Sequence, residues 1–166
     1  MSRTHRAPSH QGFTLVELMV ALTVLAILTV IALPTIEGMR ERARLRAATD
    51  AIHAHLQFAR SESIKQGRDL YVSITTGANW CVGITHNAAG CTCNTAGDCV
   101  FGPTGATQSR TLLSSEFSVT SITSTVTTIR FDSRRGSIPT PGTLTINGAT
   151  ESQQIAYNLS GQIVAP

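Results

Sequence analysis

The densest concentration of reactive side chains in this 166-residue sequence is "CVGITHNAAGCTCNTAGDC", which holds Cys81, Cys91, Cys93 and Cys99. Three chemistries compete there: zinc ligation, a thiolate nucleophile and disulfide bonding. The C-x9-C-x-C-x5-C spacing lacks the paired CxxC knuckles of a zinc site, and no histidine stands at ligand spacing among the cysteines. His86 suggests a Cys/His pair, but oxidation would remove the nucleophile. In an exported protein, oxidation is the default state. A Cys91–Cys93 bond would be strained. That leaves Cys81–Cys91 with Cys93–Cys99, or Cys81–Cys93 with Cys91–Cys99, and the reading leans to the first. Either way the role is to staple a Gly/Asn-rich loop. Elsewhere no serine sits in G-x-S-x-G, and "GPTGATQS" (102–109) lacks the lysine of a phosphate-binding loop. His53 and His55 point to different helical faces with no cysteine or acid at metal spacing, and read as surface or packing residues. No enzyme, metal or cofactor is expected.

The other chemically loaded residue is Glu17, inside "GFTLVELMVALTVLAILTVIALP" (12–34). Phe13 to Leu33 is long enough to span roughly 30 Å as a helix, the thickness of bilayer hydrocarbon. A secretory signal has a shorter apolar core followed by a small-x-small cleavage site. A carboxylate inside a transmembrane helix costs about 2.5–3.5 kcal/mol, so it should face a partner. Nothing basic lies nearby on the helix. Cleavage after Gly12 would supply one, because the new ammonium of Phe13 stands one helical turn before Glu17, on the same face. Whether within one chain or between neighbours, such a pair is a registry device for assembly.

Gly12-Phe13-Thr14-Leu15-Val16-Glu17 resembles the processing site of type IV prepilins and type II secretion pseudopilins. "LQFARSESIKQGRDL" (56–70) resembles the helix end of the GspH/FimT group, which contains FimU- and FimT-type minor pilins as well as GspH-type minor pseudopilins. The resemblance implies cleavage after Gly12 by the prepilin peptidase and N-methylation of Phe13. It also implies pairing of Glu17 with a neighbouring subunit's N-terminus. Pro34 falls where such proteins have a helix-softening proline. The implied location is the bacterial inner membrane, single-pass, with the head in the periplasm. The implied partners are other pilins or pseudopilins.

The elements that must position these residues follow from periodicity. The expected organisation is a leader (1–12), a membrane and assembly helix (13–34), an amphipathic helix (35–68) and a β head (69–166). Leu45, Ala48, Ile52, Leu56, Ala59 and Ser63 recur at three- and four-residue steps, a stripe that reads as core packing, and Gly67 is the expected stop. From residue 70 the period changes to two: "LYVSIT" (70–75), "WCVGIT" (80–85), "TVTTIRF" (125–131), "TLTI" (143–146) and "QIAYNL" (154–159) are β-favouring runs. Ile129 and Phe131, and likewise Ile155, Tyr157 and Leu159, alternate as one buried face should. The fold class is α+β and pilin-like, a long N-terminal helix on a small, mostly antiparallel sheet.

A net charge of +3 is too small to imply a polyanion partner. The placement of charge says more. Arg3 and Arg6 precede the apolar run, whereas Arg40, Arg42, Arg44 and Arg46 follow it closely, against the usual bias of basic residues to the cytoplasmic flank. DNA capture is the competing function within the resembled group. The basic Gly-Arg-x-Arg element associated with it is replaced here by Gly161-Gln162-Ile163-Val164. Arg134 and Arg135, with Arg130 nearby, offer a substitute basic tip, although a solvated turn is the preferred reading.

Overall fold

A helix that must bury only one stripe shows it as a three- and four-residue repeat, and the 52-residue helix α1 (Leu15–Gln66) carries that repeat in its second half. The computed structural model describes residues 12–103, 108–117 and 121–166, with all of their side chains except those of 30–36. Residues 1–11 of the leader, the ring of Pro34 and the middle of the 102–109 loop therefore lie outside the described residues. The chain divides into two compact units, 1–39 and 40–166. The helical assignment runs through position 34.

In the larger unit Leu45, Ala48, Ile52, Leu56, Ala59 and Ser63 are all buried, as their spacing predicts. The helix ends in a Schellman arrangement. Gly67 adopts φ 60°, its N–H donates to the Ile64 carbonyl, and the Arg68 N–H donates to the Ser63 carbonyl.

The strand expected at 70–75 appears as β1 (Leu70–Thr75), and the one expected at 143–146 appears one residue longer at each end, as β8 (Gly142–Asn147). Those expected at 80–85, 125–131 and 154–159 appear with shifted ends, as β2 (Cys81–Thr85), β7 (Thr128–Phe131) and β9 (Ser152–Tyr157). Five more were not anticipated: β3 (Val100–Phe101), β4 (Gln108–Ser109), β5 (Thr111–Leu113), β6 (Ser121–Ser124) and β10 (Ile163–Val164). With them the single sheet becomes two four-stranded antiparallel sheets, ordered β5-β2-β1-β7 and β10-β9-β8-β6, and a β3-β4 ribbon. Strands of two or three residues are too short to display alternation, which is why the pattern missed β3, β4, β5 and β10.

One core unites the helix stripe with Val72, Ile84, Ile129, Phe131, Leu144 and Ile155. Leu159 departs from expectation, for it is 61% exposed. β9 ends at Tyr157, and Asn158–Gly161 is a turn closed by Gly161 N–H on the Asn158 carbonyl. Alternation therefore stops before it reaches Leu159.

The opposite face of β2 holds a second cluster, formed by Cys81, Cys93 and Cys99. Gly83 makes room for it, since a Cβ there would collide with Cys93 and Cys99. The bonds are Cys81–Cys93 and Cys91–Cys99, the less favoured of the two pairings left open by the sequence. The reason is the turn between them. Asp98 Oδ2 accepts the Thr92 N–H at 2.5 Å, and successive turns at Thr92 and Thr95 fold Cys99 back to a Cα separation of 5.2 Å from Cys91. Cys93 then drops onto the sheet at 4% exposure and meets Cys81.

His55 is the polar exception in the core. It is fully buried, and neither ring nitrogen has a hydrogen-bond partner. Burial, reinforced by the Arg110 cation, pushes its pKa down to about 4. The unfolded chain takes up a proton near the ordinary value of 6.5 while the folded chain resists it. Stability is therefore complete above pH 6.5 and falls as the pH drops toward about 4. The loss is roughly 3 kcal/mol at the rate of 1.36 per pKa unit. His55→Leu should remove most of this acid slope, as read by denaturant melts of the full chain in detergent between pH 7 and 4. An unchanged slope would assign it to other groups.

Candidate functional site: the processing and assembly segment

Thr14-Leu15-Val16-Glu17 has the T-x-x-E form of a helix-starting box, and the structure uses it as a start. The Thr14 carbonyl accepts the first helical bond from Leu18 N–H at 3.2 Å, and Thr14 Oγ1 accepts the Glu17 N–H at 3.3 Å. Gly12, Phe13, Thr14 and Glu17 thus line one shallow depression. The scissile candidate Gly12–Phe13 lies in extended chain ahead of the helix, and Phe13 is 85% exposed. Glu17 makes no ion pair among the described residues. Thr23 and Thr29 bond back to the carbonyls of Val20 and Ala26, so neither hydroxyl is left without a partner in this apolar stretch.

From Phe13 to Thr29 every side chain is exposed, including Leu15, Val16, Leu18, Met19, Leu22 and Leu25. A helix that is apolar around its whole circumference is stable only when something covers it. Among the described residues no helix is long and apolar enough to cross a membrane, and the described side chains of this run stop at Thr29.

In the head, further contacts fasten the helix. Glu41 accepts the Thr150 N–H at 2.8 Å and the Thr150 hydroxyl at 3.1 Å, and Arg42 bridges to Glu151 at 2.7 Å. The Thr150 backbone N–H, more than any other contact, holds the Glu41 carboxyl below its usual range. These partners lie 109 residues apart, and no local signal announces them. The position of His55, three residues after Ile52 and four before Ala59, was a readable sign of its burial.

The three arginines offered as a basic tip are not equivalent. Arg130 is engaged by Asp69, through Nη2 at 2.6 Å and Nε at 2.9 Å, which sets it apart from the other two. Burial pushes the Asp69 carboxyl up, but the Ser133 N–H and Arg130 outweigh it and hold it low. Arg134 and Arg135 are exposed on a turn whose N–H groups donate to Asp132 Oδ1. Among the described residues no group of His, Cys, Asp and Glu is placed to hold a metal.

The first 33 residues define a class. Residues 8–33 match the model of the prokaryotic N-terminal methylation motif, the mark of chains processed by prepilin peptidase. Residues 48–161 match the family model described as type II transport protein GspH, and the chain belongs to that family. The fold agrees. Two crystal structures of the type IV minor pilin FimU from Pseudomonas aeruginosa PAO1 are similar to it. The one in space group P21 has a TM-score of 0.55 at 20% identity, covering 77% of this chain and 92% of that one. The one in P65 has a TM-score of 0.54 at 21% identity, covering 74% and 92%. No curated protein matches the chain. The family and the motif together imply a membrane-anchored subunit that assembles with other pilins.

Proposed function

We propose that this chain is a minor type IV pilin, cut between Gly12 and Phe13, methylated on the new Phe13 amine and anchored by residues 13–34 in the inner membrane. Its head stands in the periplasm. In the filament the exposed apolar helix packs against the helices of other pilins, at the initiating or tip end, and Glu17 pairs with a neighbour's N-terminal ammonium. The observation that supports this reading is the fully exposed apolar run from Phe13 to Thr29 in a chain whose head closes a core of its own. Lipid covers such a helix before assembly, and other helices cover it afterwards. The work is binding, without turnover.

Mass analysis of the membrane-extracted protein from a host with the processing machinery should find an N-terminus at methylated Phe13. A chain still beginning at Met1 would overturn the reading.

A minor pseudopilin of a type II secretion system has the same assembly physics and different partners, and the description of the matched family favours keeping it as the second reading. Deletion of the gene separates the two, since loss of pili supports the first and loss of protein secretion the second. DNA capture is supported less. Arg130 already shares its charge with Asp69, so Arg134 and Arg135 are the pair freest for phosphate contact.

A further inference from the structure

We propose that Arg40, Arg44 and Arg46 form a cationic collar that binds the phosphate headgroups of anionic phospholipids at the membrane face beside the apolar run. The inference rests on the anchoring of residues 13–34 described above and adds a lipid partner to it.

Four arginines follow the apolar run on the flank where a single-pass anchor of this orientation should carry few. One of them has a partner within the chain, because Arg42 bridges to Glu151. The adjacent acid, Glu41, is also occupied, with both of its oxygens on Thr150. Arg40, Arg44 and Arg46 are exposed and make no hydrogen bond or ion pair among the described residues, although Glu37 and Asp50 lie within four residues of them. Three guanidinium groups are therefore left facing solvent, each able to bind phosphate oxygens in a bidentate fork.

Their distance from the apolar run suits a lipid surface. Arg40 follows Leu33 by only seven residues of sequence. Helical side chains lean toward the helix N-terminus. Arginine stems extend further in the same direction and carry the charge to the headgroup layer. Arg40 is nearest the run along the chain, then Arg44, and Arg46 is the most screened of the three. The negative charge these groups need is supplied by a bilayer containing anionic lipid. Among the described residues of this helical stretch, Glu37 and Asp50 are the exposed carboxylates that a second copy could offer in return.

The test uses the full chain in nanodiscs of phosphatidylcholine with phosphatidylglycerol as the minor lipid. Lipids that remain bound on release are counted by native mass spectrometry. Each arginine near an anionic surface favours binding roughly fivefold, so the three together should enrich phosphatidylglycerol by up to roughly 100-fold at low salt. The triple variant Arg40→Gln/Arg44→Gln/Arg46→Gln should bring the bound lipid back to the bulk ratio, as should high salt. Arg134→Gln/Arg135→Gln, a comparable loss of exposed charge elsewhere, should keep the enrichment. Equal enrichment in the wild type and the triple variant would overturn the proposal. So would a loss of enrichment equal in both variants, because net charge alone would then explain it. If the triple variant keeps its lipid preference and loses co-assembly, the collar binds a neighbouring subunit and the lipid assignment is wrong. Flotation with pure phosphatidylcholine vesicles separates the two levels. A wild-type chain that floats but shows no enrichment ends the lipid proposal alone, and one that does not float ends the anchoring reading with it.

Discussion

Glu17→Val should leave the chain in the membrane and cut its recovery in sheared filaments by about 100-fold or more. The valine variant is the more apolar of the two and inserts at least as well, since the carboxylate costs about 2.5–3.5 kcal/mol within a membrane helix. Assembly is where the loss should fall. A neighbour's ammonium brought into the bundle would find no counter-charge, and breaking a buried pair from one side costs about 3–5 kcal/mol. At about 1.4 kcal/mol per factor of ten, that exceeds a hundredfold in association. The comparison to make is the ratio of filament to membrane protein for wild type and variant, by quantitative immunoblot. Wild-type incorporation of the valine variant would remove the charge pair from the mechanism, leaving apolar packing alone.

The second large effect concerns the staples of the head. Replacing all four cysteines by serine should destabilise the head by about 4–8 kcal/mol, because closing loops of this size contributes roughly 2–4 kcal/mol for each bond. Against a typical total of about 5–15 kcal/mol, that leaves little. The two bonds should not weigh equally. Their sequence separations of 12 and 8 residues differ too little for loop entropy to distinguish them. Burial does: Cys81 and Cys93 are closed against the sheet, while Cys91 is half-buried. Cys81→Ser/Cys93→Ser therefore leaves two hydroxyls in a dry cluster and should lower Tm by roughly 10 °C or more. Cys91→Ser/Cys99→Ser should lower it less. The reverse order of melting would show that the outer bond carries the loop.

What could be read in advance was local. Gly12, Phe13 and Glu17 declare themselves because the chemistry requires them in one short register, and the family match over 8–33 falls on the same residues. The stripe from Leu45 to Ser63 is equally plain, since a helix writes its buried face at a fixed period. β1 was visible with both ends, and β8 to within one residue at each, because six residues suffice to show a period of two. The two-residue β3, β4 and β10 fall below that limit. Leu159 was misplaced because alternation gives no sign of where a strand ends and its turn begins. The cysteine pairing and the engagement of Arg130 depend on which distant residues meet, and neither leaves a mark in its neighbourhood. Asp69, 61 residues from Arg130, is the partner that decides the latter.

The two cystine bridges overlap along the chain, since Cys91 lies between Cys81 and Cys93 while its own partner lies beyond. Every peptide bond from 81 to 99 is therefore spanned by at least one covalent cross-link. An extracellular protease that cuts in the exposed part of this stretch severs the backbone and still leaves the two fragments joined. Such a nicked subunit would run at full length on a non-reducing gel and separate into two pieces only after treatment with a thiol.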